Sequence, residues 1–96
     1  MTAYCFFDIR EITDPVKMTE YGEGVFATVE KYGGRFLVRG GKCDGVEGRW
    51  RPSFAVIIEF PSLDHAHRWY DSPEYAPLLR LRLEASRGDA VFIEGH

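Results

Sequence analysis

The sequence lacks several features that define common classes of functional protein. It contains 2 cysteines in 96 residues, Cys5 and Cys43, and their spacing fits neither a zinc motif nor an expected disulfide. No window approaches about 18 apolar residues, and no basic segment precedes an apolar one at the N-terminus, so neither a membrane span nor an export signal is expected. The sequence therefore predicts a cytoplasmic protein.

The sequence also lacks an excess of positive charge. The formal net charge is -3, and the arginines are mixed with acidic residues, which argues against a nucleic-acid partner. The glycines of GGRFLVRGG flank a predicted strand, and no GKS or GKT follows, so a nucleotide site is not expected. His65 and His67 point about 200° apart on a predicted helix and cannot share a metal on one face. We expect no metal ion.

Aromatic residues, in contrast, are abundant. The chain carries 7 Phe, 5 Tyr and 2 Trp, a large apolar load for the core of one small domain. Its length predicts a single domain over residues 1–96. We expect part of the apolar load to lie in a subunit interface.

The order of the predicted elements is β-α-β-β-α-β. Thr13 or Asp14 caps the first helix, Pro15 occupies its first position and Gly33 ends it. Ser62 caps the second helix, which Ser72 and Pro73 interrupt and restart. The strands are predicted at residues 3–10, 35–40, 53–60 and, after a stop at Gly88, 89–95. With the middle strands joined as an antiparallel hairpin, this is an α+β, ferredoxin-like sandwich.

Alternation along the strands divides their side chains between two sheet faces. The face expected beneath the helices carries no charge: Cys5, Phe7, Ile9, Phe36, Val38, Val56, Ile58, Phe60, Val91 and Ile93. The second face mixes large apolar residues with acids and arginines: Tyr4, Phe6, Asp8, Arg10, Leu37, Arg39, Ile57, Glu59, Phe92 and Glu94. An exposed apolar surface of this kind needs a cover, and the expected cover is a second copy of the chain.

Arg39 and Glu59 are the strongest candidates for a functional site. They are expected on neighbouring strands near the middle of the second face, as an anion-binding guanidinium and an acid/base carboxylate. Asp8 extends this group. Tyr70 and Ser72, in the segment RWYDSPEYAPLL, are candidate ligand-binding residues in a pocket wall. The alternative is a structural Arg39–Glu59 ion pair that fixes the dimer interface.

The charged residues near the chain end are expected to be structural and not functional. Arg80, Arg82 and Arg87, with Glu84 between them, are expected to form the solvated side of the last helix. No ligand is expected there.

The chain carries five short motifs: TDP (13–15), GGRFLVRGG (33–41), WRP (50–52), IIEFPS (57–62) and WYDSPEY (69–75). Together they resemble one bacterial family, the "domain of unknown function 1330". The resemblance implies membership of the dimeric α+β barrel superfamily, whose other members include cofactor-free monooxygenases, haem-degrading enzymes, muconolactone isomerase and stress-responsive proteins. Tyr32 stands where many members of the family have His before the double glycine. No residue matches a haem ligand, so no cofactor is expected.

Together these observations predict a homodimer that binds a small organic molecule, anionic or aromatic in character. The resemblance implies cofactor-independent oxidation or isomerisation if the protein is an enzyme, by analogy of fold alone. The alternative function is a non-catalytic structural or interaction dimer.

Overall fold

The computed structural model describes residues 1–96 and contains four strands and three helices. In chain order these are β1 (Ala3–Ile12), α1 (Pro15–Lys31), β2 (Arg35–Arg39), β3 (Ala55–Phe60), α2 (Leu63–Tyr70), α3 (Ala76–Ala85) and β4 (Ser86–Glu94). The strands form one antiparallel sheet in the order β2-β3-β1-β4. This is the predicted ferredoxin-like topology, with α2 and α3 as the two parts of the second helical segment.

The predicted helix caps set the ends of α1 and the start of α2. The Asp14 side chain accepts a hydrogen bond from the backbone N–H of Lys17 at 3.1 Å, and Pro15 follows as the first helical residue. Gly33, just after α1, has φ of 84°, a conformation that side chains with a Cβ rarely adopt. Ser62 caps α2 by accepting from the backbone N–H of His65 at 3.1 Å. The chain therefore leaves and re-enters the sheet where sequence signals predict.

The break between α2 and α3 is longer than the sequence predicts. Residues 71–75 form turns, and α3 begins at Ala76, so the expected restart at Pro73 is wrong. Ser72 holds the turn together, because its hydroxyl donates to the carbonyl of Trp69 at 2.7 Å and accepts from the N–H of Tyr75 at 3.1 Å. Trp69 and Tyr75 are fully buried and 4.2 Å apart between ring centroids. The break thus brings two large aromatic side chains together in the core.

The start of β4 also differs from the prediction. The strand begins at Ser86, directly after α3, and the expected stop at Gly88 is wrong. Gly88 pairs with Ile9 beside a register irregularity in β1. A Cβ atom at Gly88 would lie 2.1 Å from the backbone oxygen of Asp8. Glycine is therefore present because two backbones approach closely, which is a common reason for glycine inside a strand.

In two strands, side chains lie on other faces of the sheet than the sequence predicts. In β2 the register shifts between Phe36 and Val38, which pair with Ile58 and Ile57. This β-bulge places Val38 on the outer face, so its predicted place beneath the helices is wrong. In β4, Phe92 pairs with Cys5 and lies on the helix-covered face.

The outer face of the sheet is consequently made of a different set of residues. Val91 and Ile93 pair with Phe6 and Tyr4 and are 51% and 56% exposed, so their prediction as core residues is wrong. The Cα framework is 16 Å across its thinnest dimension, room for the sheet and one layer of helices. No helix covers the outer face in the single chain, although Trp50 from the segment before β3 packs on it, 5.7 Å from Phe6 between ring centroids. No helix has the length and apolar character needed to cross a membrane.

Candidate functional site

The bulge in β2 moves Arg39 to the opposite side of the sheet from its predicted position. Arg39 pairs with Val56, whose side chain lies beneath the helices. Its guanidinium lies over the ring of Phe36, 5.8 Å from the centroid, and makes no ion pair. Arg39 therefore faces α1 across a gap in the core.

Glu59 stays on the outer face and is separated from Arg39. Its carboxylate accepts from Nε of Arg35 at 2.8 Å, and these two residues are direct cross-strand partners. The expected arrangement of Arg39 and Glu59 as neighbours on one face is thus wrong. An ion pair is present, but Arg35 supplies its cation.

Asp8, Tyr70 and Ser72 do not join either arginine. Asp8 is buried on the outer face, where its two carboxylate oxygens accept from Trp50 Nε1 and from the N–H of Ser53, both at 3.1 Å. Tyr70 packs against Trp69, Tyr75 and Phe92. The Ser72 hydroxyl is engaged within its own turn. The structure therefore does not gather the predicted residues into one site.

A cavity of about 330 Å³ lies instead between the sheet and α1. Strand residues form its floor and residues of α1 its roof, with Arg39 and Arg82 as the charged residues among its walls. The remaining wall residues are mainly apolar: Phe7, Ile9, Ile12, Pro15, Met18, Thr19, Tyr21, Gly22, Val25, Phe36, Phe54, Val56 and Ile58. This volume is at the lower end of the range for small-molecule sites.

Arg82 is the most unusual residue of this cavity, and its predicted position on the solvated side of the last helix is wrong. It is 8% exposed and has no carboxylate within ion-pair distance. Nε donates to the Tyr75 hydroxyl at 3.3 Å, and the guanidinium lies 5.1 Å from the Phe7 ring centroid. Arg82 lines the cavity, and its terminal nitrogens make no hydrogen bond to the protein. Because no fully buried side-chain nitrogen lacks a partner, these atoms keep some exposed surface.

Arg82, Tyr75 and Tyr21 form one hydrogen-bonded group, which we call the polar corner of the cavity. The hydroxyl oxygens of Tyr21 and Tyr75 are 2.8 Å apart. Burial raises the pKa of Tyr21 and of Tyr75 above the ordinary value, so both phenols are neutral at physiological pH. For Arg82, burial lowers the pKa, but the contacts with Tyr75 and Tyr21 outweigh it, and the net pKa is raised. The corner thus presents a permanent cation and phenolic hydroxyls.

The composition of the walls limits the chemistry that the cavity residues can perform. None of the wall residues is Asp, Glu, His or Cys. Tyr21, the tyrosine of the wall, is a neutral phenol at physiological pH and therefore a poor base. An arginine does not deprotonate. The cavity can therefore stabilise negative charge on a bound molecule, but it offers no side chain that accepts a proton.

The burial of Arg82 has a signal in the sequence, which is its position on an apolar helix face and not its charge. Tyr75, Leu78, Leu79 and Ala85 are buried or half-buried and recur at the spacing of one helix face. Arg82 falls on the same face. An arginine within an apolar helical stripe is the pattern that distinguishes it from the exposed Arg80.

The same fold occurs in solved structures. The RPA0582 protein of unknown function from Rhodopseudomonas palustris is 16% identical, with a TM-score of 0.75, over 99% of this chain and 82% of that one. SnoaB, a cofactor-independent oxygenase from Streptomyces nogalater, is 14% identical, with a TM-score of 0.61, over 99% of this chain and 91% of SnoaB. A dimeric ferredoxin-like protein of unknown function from Bacteroides fragilis is 13% identical, with a TM-score of 0.52, over 98% of this chain and 94% of that one.

At these identities the likeness shows the fold and not an activity. No curated protein matches the chain. The sequence resemblance is confirmed, because the family model for the domain of unknown function DUF1330 matches residues 2–96. This chain therefore belongs to the DUF1330 family.

Proposed function

We propose that this protein binds a small, largely apolar organic anion in the cavity between the sheet and α1, with Arg82 as the anchor. The observation that carries this proposal is a guanidinium that is buried, free of any carboxylate and accessible from an apolar cavity. Buried charges in proteins are normally paired, because an unpaired one costs several kcal/mol in desolvation. A ligand that supplies the missing negative charge offsets this cost.

The walls favour a ligand with an aromatic or otherwise flat apolar body. Phe7, Phe36 and Phe54 supply aromatic surface, and the cavity volume of about 330 Å³ suits a molecule of one or two rings. Arg39 is exposed, lines the same cavity and has no ion-pair partner, so it attracts an anion on entry. Arg39 thus keeps a role as a ligand-binding residue, while Glu59 has none.

Whether bound molecules are converted is a separate part of the proposal. SnoaB shares the fold and is a cofactor-independent oxygenase, and a cavity that stabilises an anion without supplying a base suits a substrate that ionises by itself. We propose oxidation or isomerisation without a cofactor as the activity to test first.

Binding of 2-naphthoate, measured by calorimetry at neutral pH, tests the site. We expect Arg82→Met to weaken binding by about tenfold or more, since a charged hydrogen bond contributes roughly 1.5 to 3 kcal/mol. Arg80→Met is the matched control from the exposed side of the same helix. Glu59→Gln should leave affinity unchanged. Equal affinity in the wild type and Arg82→Met, or a loss in Glu59→Gln alone, contradicts the proposal.

We further propose that two copies pair through their outer sheet faces. Val91 and Ile93 are exposed there, beside the half-buried Phe6 and Ile57. Two proteins of similar fold, from Bacteroides fragilis and Thermobifida fusca, are dimeric. Burial of such an apolar face is the usual driving force for pairing.

The cysteines are free, which suits a reducing compartment such as the cytoplasm.

Sedimentation at micromolar concentration tests the pairing. We expect a dimer for the wild type and a monomer for Val91→Lys combined with Ile93→Lys. Leu83→Lys is the control, because Leu83 is 61% exposed on α3 and away from the sheet. A folded wild-type monomer contradicts this part of the proposal and leaves the cavity argument intact.

A further inference from the structure

We infer that the cavity takes weak organic acids, such as phenols and enols, and holds them as anions in preference to the neutral acids. This inference rests on the proposed function and narrows its ligand class. It follows from the full set of charged and titratable groups that surround Arg82.

The groups facing Arg82 are either cationic or neutral. Tyr21 approaches from α1, Tyr70 from α2 and Tyr75 from the turn before α3, while β1 contributes the ring of Phe7. Across the cavity, β2 contributes Arg39. The neighbouring acid on α3, Glu84, is at the surface and pairs with Lys17 at 3.1 Å. No negative group therefore competes with a ligand for Arg82.

The tyrosine pair leaves one hydroxyl proton for a ligand. Two hydroxyl groups share a single hydrogen bond, and the Tyr75 oxygen also accepts from Arg82 Nε. When Tyr75 donates to Tyr21, the proton of Tyr21 stays available, and Tyr21 is the tyrosine that lines the cavity. A chain of hydrogen bonds that starts at a cation makes its last donor stronger. An oxyanion beside Arg82 can thus accept from both residues.

Two opposing effects determine the ionisation of a bound acid. Apolar walls disfavour the anion, and full burial raises the pKa of an acid by up to about 3 to 5 units. An adjacent cation lowers it by about 1 to 3 units, and hydrogen bonds to the anion lower it further. Here the exposed Arg39 adds a second positive charge to the cavity wall, and Arg82 is largely desolvated before the ligand arrives. The anion is therefore favoured.

The proton released by the acid passes to bulk water. The ligand O–H bond breaks, the electron pair stays on the ligand oxygen, and no wall residue accepts the proton, because no carboxylate, imidazole or thiol lines the cavity. The protein therefore changes the ionisation equilibrium without taking part in a proton transfer.

The test is an absorbance titration of 4-nitrophenol, whose anion is coloured, with an excess of the protein, and 4-nitroanisole is the ligand that cannot ionise. We expect the bound 4-nitrophenol to titrate about one pH unit or more below the free compound. Arg82→Met should abolish the shift and Tyr21→Phe should reduce it. Tyr4→Phe, on the outer face, should retain it.

Different results separate this inference from the proposed function. A titration midpoint at or above that of free 4-nitrophenol, or tighter binding of 4-nitroanisole than of 4-nitrophenolate, overturns the inference. If 2-naphthoate still binds through Arg82 in that case, the proposed function stands. Absence of binding by both 2-naphthoate and 4-nitrophenol overturns the proposed function itself.

Discussion

The hydroxyl oxygens of Tyr21 and Tyr75 lie 2.8 Å apart and join α1 to the turn that precedes α3. Tyr75 also accepts from Arg82. We expect Tyr75→Phe to lower the free energy of unfolding by roughly 0.5 to 1.5 kcal/mol, the usual effect of one lost hydrogen bond. Chemical denaturation measures this change.

The same substitution should also weaken 2-naphthoate binding, but by less than Arg82→Met does, because Tyr75 orients the guanidinium without lining the cavity. Tyr70→Phe is the matched control and should leave binding unchanged, since Tyr70 packs against the same aromatic cluster but the hydrogen bond to Arg82 comes from Tyr75. A larger loss of binding in Tyr75→Phe than in Arg82→Met contradicts this assignment.

Arg82→Met should separate stability from binding. Methionine fills similar volume, removes an unpaired buried charge and leaves the Tyr21–Tyr75 hydrogen bond in place. Replacement of buried charges by apolar residues is often neutral or stabilising. We therefore expect an unchanged or higher Tm together with lost ligand binding. A fall in Tm of several degrees, absent in Arg80→Met, shows instead that Arg82 has a structural role.

Two glycines in α1 provide a matched pair for stability. A Cβ at Gly22 meets only Arg39 Nη2 at 3.5 Å, an ordinary contact, whereas a Cβ at Gly24 meets Leu78 Cδ2 at 3.0 Å. Alanine in a helix interior is favoured over glycine by roughly 0.5 to 1 kcal/mol. We expect Gly22→Ala to stabilise the protein and Gly24→Ala to stabilise it less or not at all, as measured by urea denaturation. The reverse order contradicts the close packing of α1 on α3.

Glu74 predicts a pH dependence of stability. Hydrogen bonds from Lys31 and Tyr32 lower the pKa of its carboxyl group from 4.5 to about 2. Because the folded pKa lies below the unfolded one, this contribution to stability is present above about pH 4.5 and is lost as the pH falls towards 2. We expect the Tm difference between the wild type and Glu74→Gln to be largest at neutral pH and to vanish near pH 2. A constant difference across this range contradicts the assignment.

The ends of α1 and the start of α2, which depend on only a few neighbouring residues, are predicted correctly from the sequence. Asp14, Pro15, Gly33 and Ser62 mark helix ends through local backbone geometry, and the structure has them in those roles. The order of elements then limits the sheet to few topologies. The ferredoxin-like fold was predictable for this reason.

The candidate site depended on sheet register, which sequence alternation does not determine. A one-residue bulge at Leu37 moved Arg39 to the helix-covered face, and Arg35 became the partner of Glu59. A shift of one residue exchanges the faces of all residues that follow it in a strand. In β4 the predicted alternation is displaced by one residue, so Val91 and Ile93 lie on the outer face instead of beneath the helices.

The charge of Arg82 predicts a solvated side chain, whereas its position on the helix predicts a buried one. Charge runs near a helix end are usually solvated, and Arg80 fits that rule. The spacing of Tyr75, Leu78, Arg82 and Ala85 places them on one face, where burial follows from helix geometry. Position within the apolar stripe was thus the more informative property.

The most direct test of the central claim is a crystal structure of the protein with 2-naphthoate. We expect the naphthyl ring between Phe7 and the residues of α1, with a carboxylate oxygen about 2.7 to 2.9 Å from a terminal nitrogen of Arg82, as in charge-assisted hydrogen bonds. A naphthoate bound elsewhere, such as on the outer sheet face near Arg35, would contradict it. So would an Arg82 guanidinium turned away from the cavity towards a protein carboxylate.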